Sequence, residues 1–131
     1  MKVAVTANGV DLDASISPIF GRCSTYILVD TETMQFKALD NPALGAPGGA
    51  GVQAAQFVIG HGAQAVLTGN VGPNAFGLFQ AAHVPVFLLG SGTIRSALEA
   101  YKKGLLQSTG AANVGSHSGM RGGGRGRGRQ R

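Results

Sequence analysis

The chain is poor in the residues that usually hold a metal or staple a small fold, with one cysteine, Cys23, and three histidines in 131 residues. A lone cysteine excludes an intramolecular disulfide and any metal centre built from several thiolates of one chain. Tryptophan is absent and aromatics make up only 6%, so a core has to be packed from Val, Ile, Leu and Ala. No apolar run approaches the length of a membrane span, and the opening Met-Lys-Val-Ala-Val-Thr is too short for a signal peptide, which makes the cytoplasm the expected location. Charge of one sign is also missing from most of the chain. All six acidic residues precede residue 120, beside six of the eleven basic ones, and Arg121, Arg125, Arg127, Arg129 and Arg131 supply the whole net charge of +5. The sequence pI of 10.0 therefore describes an appendage rather than a folded surface.

What is present suits one α/β domain. With 44% hydrophobic residues and a mean hydropathy of +0.13, the chain has enough apolar surface to offset its conformational entropy. Val3 to Thr6 reads as a buried strand ending at the turn dipeptide Asn8-Gly9, followed by a long loop through Ser24. Tyr26 to Asp30 and Gln35 to Leu39 flank Thr31 to Met34 as a hairpin. A Pro/Gly-rich connection over 41–51 leads to a helix carrying Val52, Ala55 and Ile59, with Gly60-His61-Gly62 at its end. Ala65 to Thr68 and Val84 to Leu89 are strands around a short helix from Asn74 to Ala82 with Pro73 at its entrance. The last helix shows Ile94, Ala97, Leu98, Tyr101 and Leu105 on one face, with Thr93 placed as its cap. The expected domain is 1–108; 109–131 is a Gly/Arg-rich tail whose composition forms no core.

In open α/β sheets, ligands bind at the carboxyl ends of the parallel strands. Four loops are expected there: Asn8-Gly9 through Cys23, Gly48 to Gly51, Thr68 to Phe76, and Gly90 to Thr93. Three run into helix starts, whose free N–H groups and positive dipole ends favour anions, and their glycines admit close approach.

Five segments carry a resemblance to a known family: Met1 to Val5, Phe20-Gly21-Arg22-Cys23, Gly49 to Ala55, the nine-residue run Thr68-Gly69-Asn70-Val71-Gly72-Pro73-Asn74-Ala75-Phe76, and Ala97 to Tyr101 with Gly104. Over 1–107 the chain resembles the dinitrogenase iron-molybdenum cofactor biosynthesis family of nitrogenase accessory and orange-protein-like members. The resemblance implies a three-layer ribonuclease-H-like α/β fold, with a five-stranded mixed sheet whose second strand is antiparallel. It also implies carriage of an anionic metal-sulfur cluster: the iron-molybdenum cofactor, a precursor, or another molybdenum or iron sulfide cluster. Transient protein partners in cofactor assembly follow from the same resemblance. His83, where a glycine-type turn is common, and the Arg-rich tail depart from the family pattern.

The candidate cofactor-binding residues are Asn8, Arg22, Cys23, Gly49, Gly51, Gly69, Asn70, Gly72, Asn74, Gly90, Gly92 and Thr93, with Cys23 the one candidate metal ligand. Cys23 reads either as a ligand whose thiolate Arg22 favours or as a semi-buried thiol. Arg22 reads as a cluster contact or as a partner of Asp11 or Asp13. Asn70 and Asn74 suit sulfide contacts or local turns, with capping favoured for Asn74. His61, His83 and His117 read chiefly as helix-end, turn and tail residues. Catalysis is not expected, because the binding-end loops offer only Asp11 and Asp13 for Mg²⁺ and no nucleophile-base pair. Two other readings stand beside the carrier: a small anion- or nucleotide-binding module, and weak nucleic-acid association through the tail.

Overall fold

The computed structural model describes residues 1–45 and 48–113. The element order is β1 (Lys2–Ala7), β2 (Thr25–Asp30), β3 (Phe36–Asp40), α1 (Ala50–Gly60), β4 (Ala65–Thr68), α2 (Pro73–Ala81), β5 (Val86–Leu88) and α3 (Ile94–Lys102). The strands form one mixed sheet in the order β3-β2-β1-β4-β5. As expected, β2 runs antiparallel to β1 and to β3, while β4 and β5 run parallel to β1. The carboxyl ends of β1, β3, β4 and β5 therefore lie at one end of the sheet.

Strand periodicity sorts the core into two faces. Ala4, Tyr26, Leu28, Val66 and Val86 pack against Ala54, Ala55 and Val58 of α1 and Ala75 and Phe79 of α2. Val3, Val5, Ile27, Val29 and Leu67 face Ile94, Ala97 and Leu98 of α3. Covered on both sides, β1 and β4 are buried and apolar along nearly their whole length, the pattern a central strand requires.

Three boundaries differ from the sequence reading. The α3 helix ends at Lys102 because Gly104 takes a positive φ of 73°, and Leu105, expected on its apolar face, is 71% exposed. The β5 strand is shorter than Val84 to Leu89, running only from Val86 to Leu88. The ordered chain also continues past the 1–108 boundary: Ser108 bridges Phe87, and the Thr109 N–H donates to the Val86 carbonyl at 2.8 Å, which covers the exposed edge of β5. Residues 114–131, including His117 and the five tail arginines, lie outside the described residues. His83 adopts φ 59°, the left-handed turn for which glycine is the cheaper residue.

Candidate functional site

The loop end of the sheet is organised by the segment between β1 and β2. Phe20 is buried and packs on Tyr26 (centroids 5.3 Å) and edge-on to Phe79 (5.1 Å), which pins the loop over the face that carries α1 and α2. Next to it, Gly21 has φ 95°, and a Cβ there would fall 3.1 Å from the Gly51 Cα in the first turn of α1. Its N–H donates to the buried Tyr26 hydroxyl at 3.1 Å, and its carbonyl accepts from the Asn41 amide at 3.0 Å. The same Asn41 nitrogen reaches the Cys23 carbonyl at 2.9 Å, and Asn41 Oδ1 accepts from the Ala43 N–H. Tyr26 and Asn41 are thus the supports of the loop, and sequence reasoning missed both. Their signals were a Tyr inside an aliphatic strand, whose hydroxyl needs a partner, and an Asn directly before Pro.

Within Phe20-Gly21-Arg22-Cys23, only Arg22 is exposed. It pairs with neither Asp11 nor Asp13; Asp13 instead binds Arg95 at 3.1 Å. Cys23 is 1% exposed, and burial raises its thiol pKa, with the Tyr26 hydroxyl and the Ala7 and Thr25 backbone as polar neighbours. The ionised thiolate expected beside Arg22 is opposed by desolvation, which outweighs those hydrogen bonds. Among the described residues, no group of three His, Cys, Asp or Glu is gathered as a metal site would need.

The nine-residue run crosses under this loop. Gly69 passes so close that a Cβ would sit 2.5 Å from the Pro18 carbonyl oxygen, and Asn70 Nδ2 donates to that oxygen at 2.8 Å. The Phe20 N–H donates to the Asn70 carbonyl at 3.0 Å. Gly69 and Asn70 therefore act as a seam between two loops. Val71 is buried, Gly72 is the N-cap of α2, and Pro73 occupies its first turn. Asn74 does not cap the helix as expected: it lies inside the first turn, past Gly72, and makes no capping hydrogen bond.

The three helix starts are not equivalent. The α3 start is already satisfied: Thr93 and Ser96 form a reciprocal capping box, Ile94 N–H donates to Ala14, and Arg95 N–H donates to Leu12. Asn8 belongs to the same closed arrangement, bonding Ser15 through backbone and side chain, and Ile16 N–H donates to the Gly92 carbonyl. Gly92 and Thr93 thus serve this closure on the α3 face, while Gly90 lies exposed in the preceding turn. The α1 and α2 starts are open. Gly49 caps α1 in the left-handed region (φ 70°), and neither helix has a side-chain cap. Among the described residues, no acceptor is found for the first-turn N–H groups of Ala50, Gly51, Val52, Asn74 and Ala75. The two starts adjoin: a Cβ on Gly51 would touch the Ala75 Cβ at 3.5 Å. Gly49, Gly51, Gly72 and Asn74 are therefore brought together, with Arg22 on the loop that abuts Gly51.

The fold is a mixed α/β domain in which two helix starts without side-chain caps lie side by side at the loop end, a place where free backbone N–H groups favour negative charge. Residues 1–104 match the family described as dinitrogenase iron-molybdenum cofactor, and the chain belongs to that family. It is similar to the apo form of the orange protein from Desulfovibrio gigas, at 38% identity and a TM-score of 0.83 over 86% of this chain and 95% of that one. A NifB-like protein from Thermotoga shares 31% identity with a TM-score of 0.71, covering 82% of this chain and 91% of its own. An uncharacterized protein of Methanocaldococcus jannaschii is 25% identical over 111 residues, 82% of this chain and 94% of that protein.

Proposed function

We propose that this domain binds and carries an anionic metal-sulfur cluster, without catalysis, at the adjoining starts of α1 and α2. Family membership supports the cargo class, an iron-molybdenum cofactor, its precursor, or a related molybdenum, iron or copper sulfide cluster. The observation that carries the site is the pair of adjoining helix starts whose first-turn N–H groups lack acceptors among the described residues. The donor set fits such a cargo. Backbone N–H groups and the Arg22 guanidinium attract sulfide-borne negative charge without covalent ligation, whereas a lone buried Cys cannot form the thiolate cage that ligates common iron-sulfur clusters. Binding of this kind is reversible, as handing the cluster to assembly partners requires. The strand order and direction support the ribonuclease-H-like three-layer designation. No helix among the described residues is long and apolar enough to cross a membrane, in keeping with a cytoplasmic carrier.

The test is anaerobic titration of the purified protein with preformed anionic molybdenum-iron and molybdenum-copper sulfide clusters, followed by visible absorption and metal analysis. Stoichiometric binding is expected in the parent, and loss of binding with a retained fold is expected in Gly72→Asp, which sets a carboxylate at the start of α2. Failure of the folded parent to bind either cluster ends the carrier reading; full binding by folded Gly72→Asp places the site elsewhere.

A further inference from the structure

After α3 the chain passes along the outer edge of β5 to the entrance of α2, and it is fastened at two places. Ser108 bridges Phe87, and the Thr109 N–H donates to the Val86 carbonyl at 2.8 Å. The second fastening is Asn113. Its N–H donates to the Val71 carbonyl at 3.0 Å, its Oδ1 accepts from the Val71 N–H at 2.6 Å, and its Nδ2 donates to Asn70 Oδ1 at 2.8 Å. One residue thereby satisfies both backbone groups of the fully buried Val71.

Little holds the segment between these points. Gly110 and Ala111 are exposed, and a Cβ on Gly110 would have nothing within 4 Å. A groove of about 310 Å³ is lined by Ser108, Thr109 and Gly110 on one side and by Phe76, Gln80 and His83, on and just after α2, on the other. A segment held by a few solvent-accessible hydrogen bonds beside an unfilled groove opens more readily than the core beneath it.

The second fastening bears on the anion site. While Asn70 Oδ1 takes the Asn113 amide, Asn70 Nδ2 donates to the Pro18 carbonyl at 2.8 Å and the Asn70 carbonyl accepts from the Phe20 N–H at 3.0 Å. Val71 adjoins Gly72, the N-cap of α2, whose carbonyl accepts from the Phe76 N–H at 3.0 Å. The Asn74 and Ala75 N–H groups, without acceptors among the described residues, lie in the turn that this bond closes. Their direction is set by the path of the chain through Asn70 and Val71, and Asn113 fixes that path from outside.

We infer that residues 108–113 form a strap that positions the start of α2 for anion binding, with Asn113 as its latch. The inference rests on the carrier reading above and names a positioning residue for the same site. Closed, the latch holds the α2 N–H groups in one orientation; open, it frees the approach to α2 to shift. An anion that binds the closed form more tightly holds the latch shut in turn, and by the same factor, because linkage is reciprocal.

The test uses the full-length parent and full-length Asn113→Ala, titrated anaerobically with the molybdenum-copper sulfide cluster, with hydrogen exchange over residues 68–76 followed by mass spectrometry. Asn113→Ala should bind roughly three- to tenfold more weakly, with faster exchange over 68–76 and a melting temperature lowered by only a few degrees. In the parent, saturating cluster should slow exchange over 68–76 by about the factor that the variant loses in affinity, a match that a merely structural contact does not produce. Equal affinity of the parent and the folded variant overturns the inference and leaves the carrier reading standing. Cluster binding that leaves exchange over 68–76 of the parent unchanged does the same, and that measurement needs no variant. Absence of binding by the folded parent overturns both readings.

Discussion

Gly21 and Gly51 meet backbone against backbone, and a Cβ on Gly21 would lie 3.1 Å from the Gly51 Cα and 3.2 Å from its nitrogen. The contact seats the β1–β2 loop on the first turn of α1. Gly21→Ala would suffer twice, from this crowding and from a φ of 95° that L residues rarely adopt. It should lower stability by about 1–3 kcal/mol and weaken cluster binding, read by urea unfolding and by the titration above. Stability equal to the parent would show that the loop can lift from α1 at no cost.

Two other glycines separate packing from propensity. Gly69→Ala forces the Pro18 carbonyl away from a 2.5 Å clash and should destabilise by about 1–3 kcal/mol. Gly77→Ala lies in the exposed middle of α2 with nothing within 4 Å, and should stabilise by about 0.5–1 kcal/mol. Denaturant midpoints for the pair should move in opposite directions.

Asn41 joins Gly21, Cys23 and Ala43 with three side-chain hydrogen bonds while only 7% exposed. Asn41→Ala should cost about 1–3 kcal/mol through unsatisfied backbone groups, and it should raise amide exchange in residues 20–24. Exchange confined to 41–43 would show that the loop stands without it.

The alkaline limit of stability follows from Cys23 and Tyr26. Burial raises the Cys23 thiol above its ordinary value of 9.0 and the Tyr26 hydroxyl above 10.0, with the Cys23 charge adding to the Tyr26 shift. Both groups ionise first in the unfolded chain, so their contribution is complete below pH 9 and is lost as pH rises past the unfolded values. Melting temperature should be flat from pH 7 to about 8.5 and fall above it, more shallowly in Cys23→Ser. The same variant should retain most cluster binding; complete loss would make thiolate coordination the principal attachment in place of the backbone N–H groups.

Thr93→Ala removes one half of the α3 capping box, a loss of about 1 kcal/mol, with no effect on cluster affinity. A matching fall in affinity would bring the α3 start back into the site.

Strand and helix identities were legible in the residue order because each rests on local chemistry. Short, continuously apolar and β-branched runs mark β1 and β2, Pro73 opens α2, Thr93 caps α3, and the Asn8-Gly9 and Thr31 to Met34 turns divide the strands. Charge segregation was equally plain, since it needs only a count along the chain. The site was half legible. That glycine loops and helix starts gather at one end follows from alternating strands and helices, but local sequence does not reveal which helix starts are free. Thr93 reads as a cap at any α3 start, yet Ala14 and Leu12, some eighty residues away, consume its remaining N–H groups. Likewise, Cys23 beside Arg22 reads as an activated thiol until the fold buries one and exposes the other. Such outcomes belong to tertiary structure because burial and long-range hydrogen bonding depend on what the rest of the chain brings alongside. The closure of Asn113 on Asn70 and Val71 is of that kind: 42 residues of sequence separate the Val71 N–H from its acceptor, and only the folded sheet edge places them 2.6 Å apart.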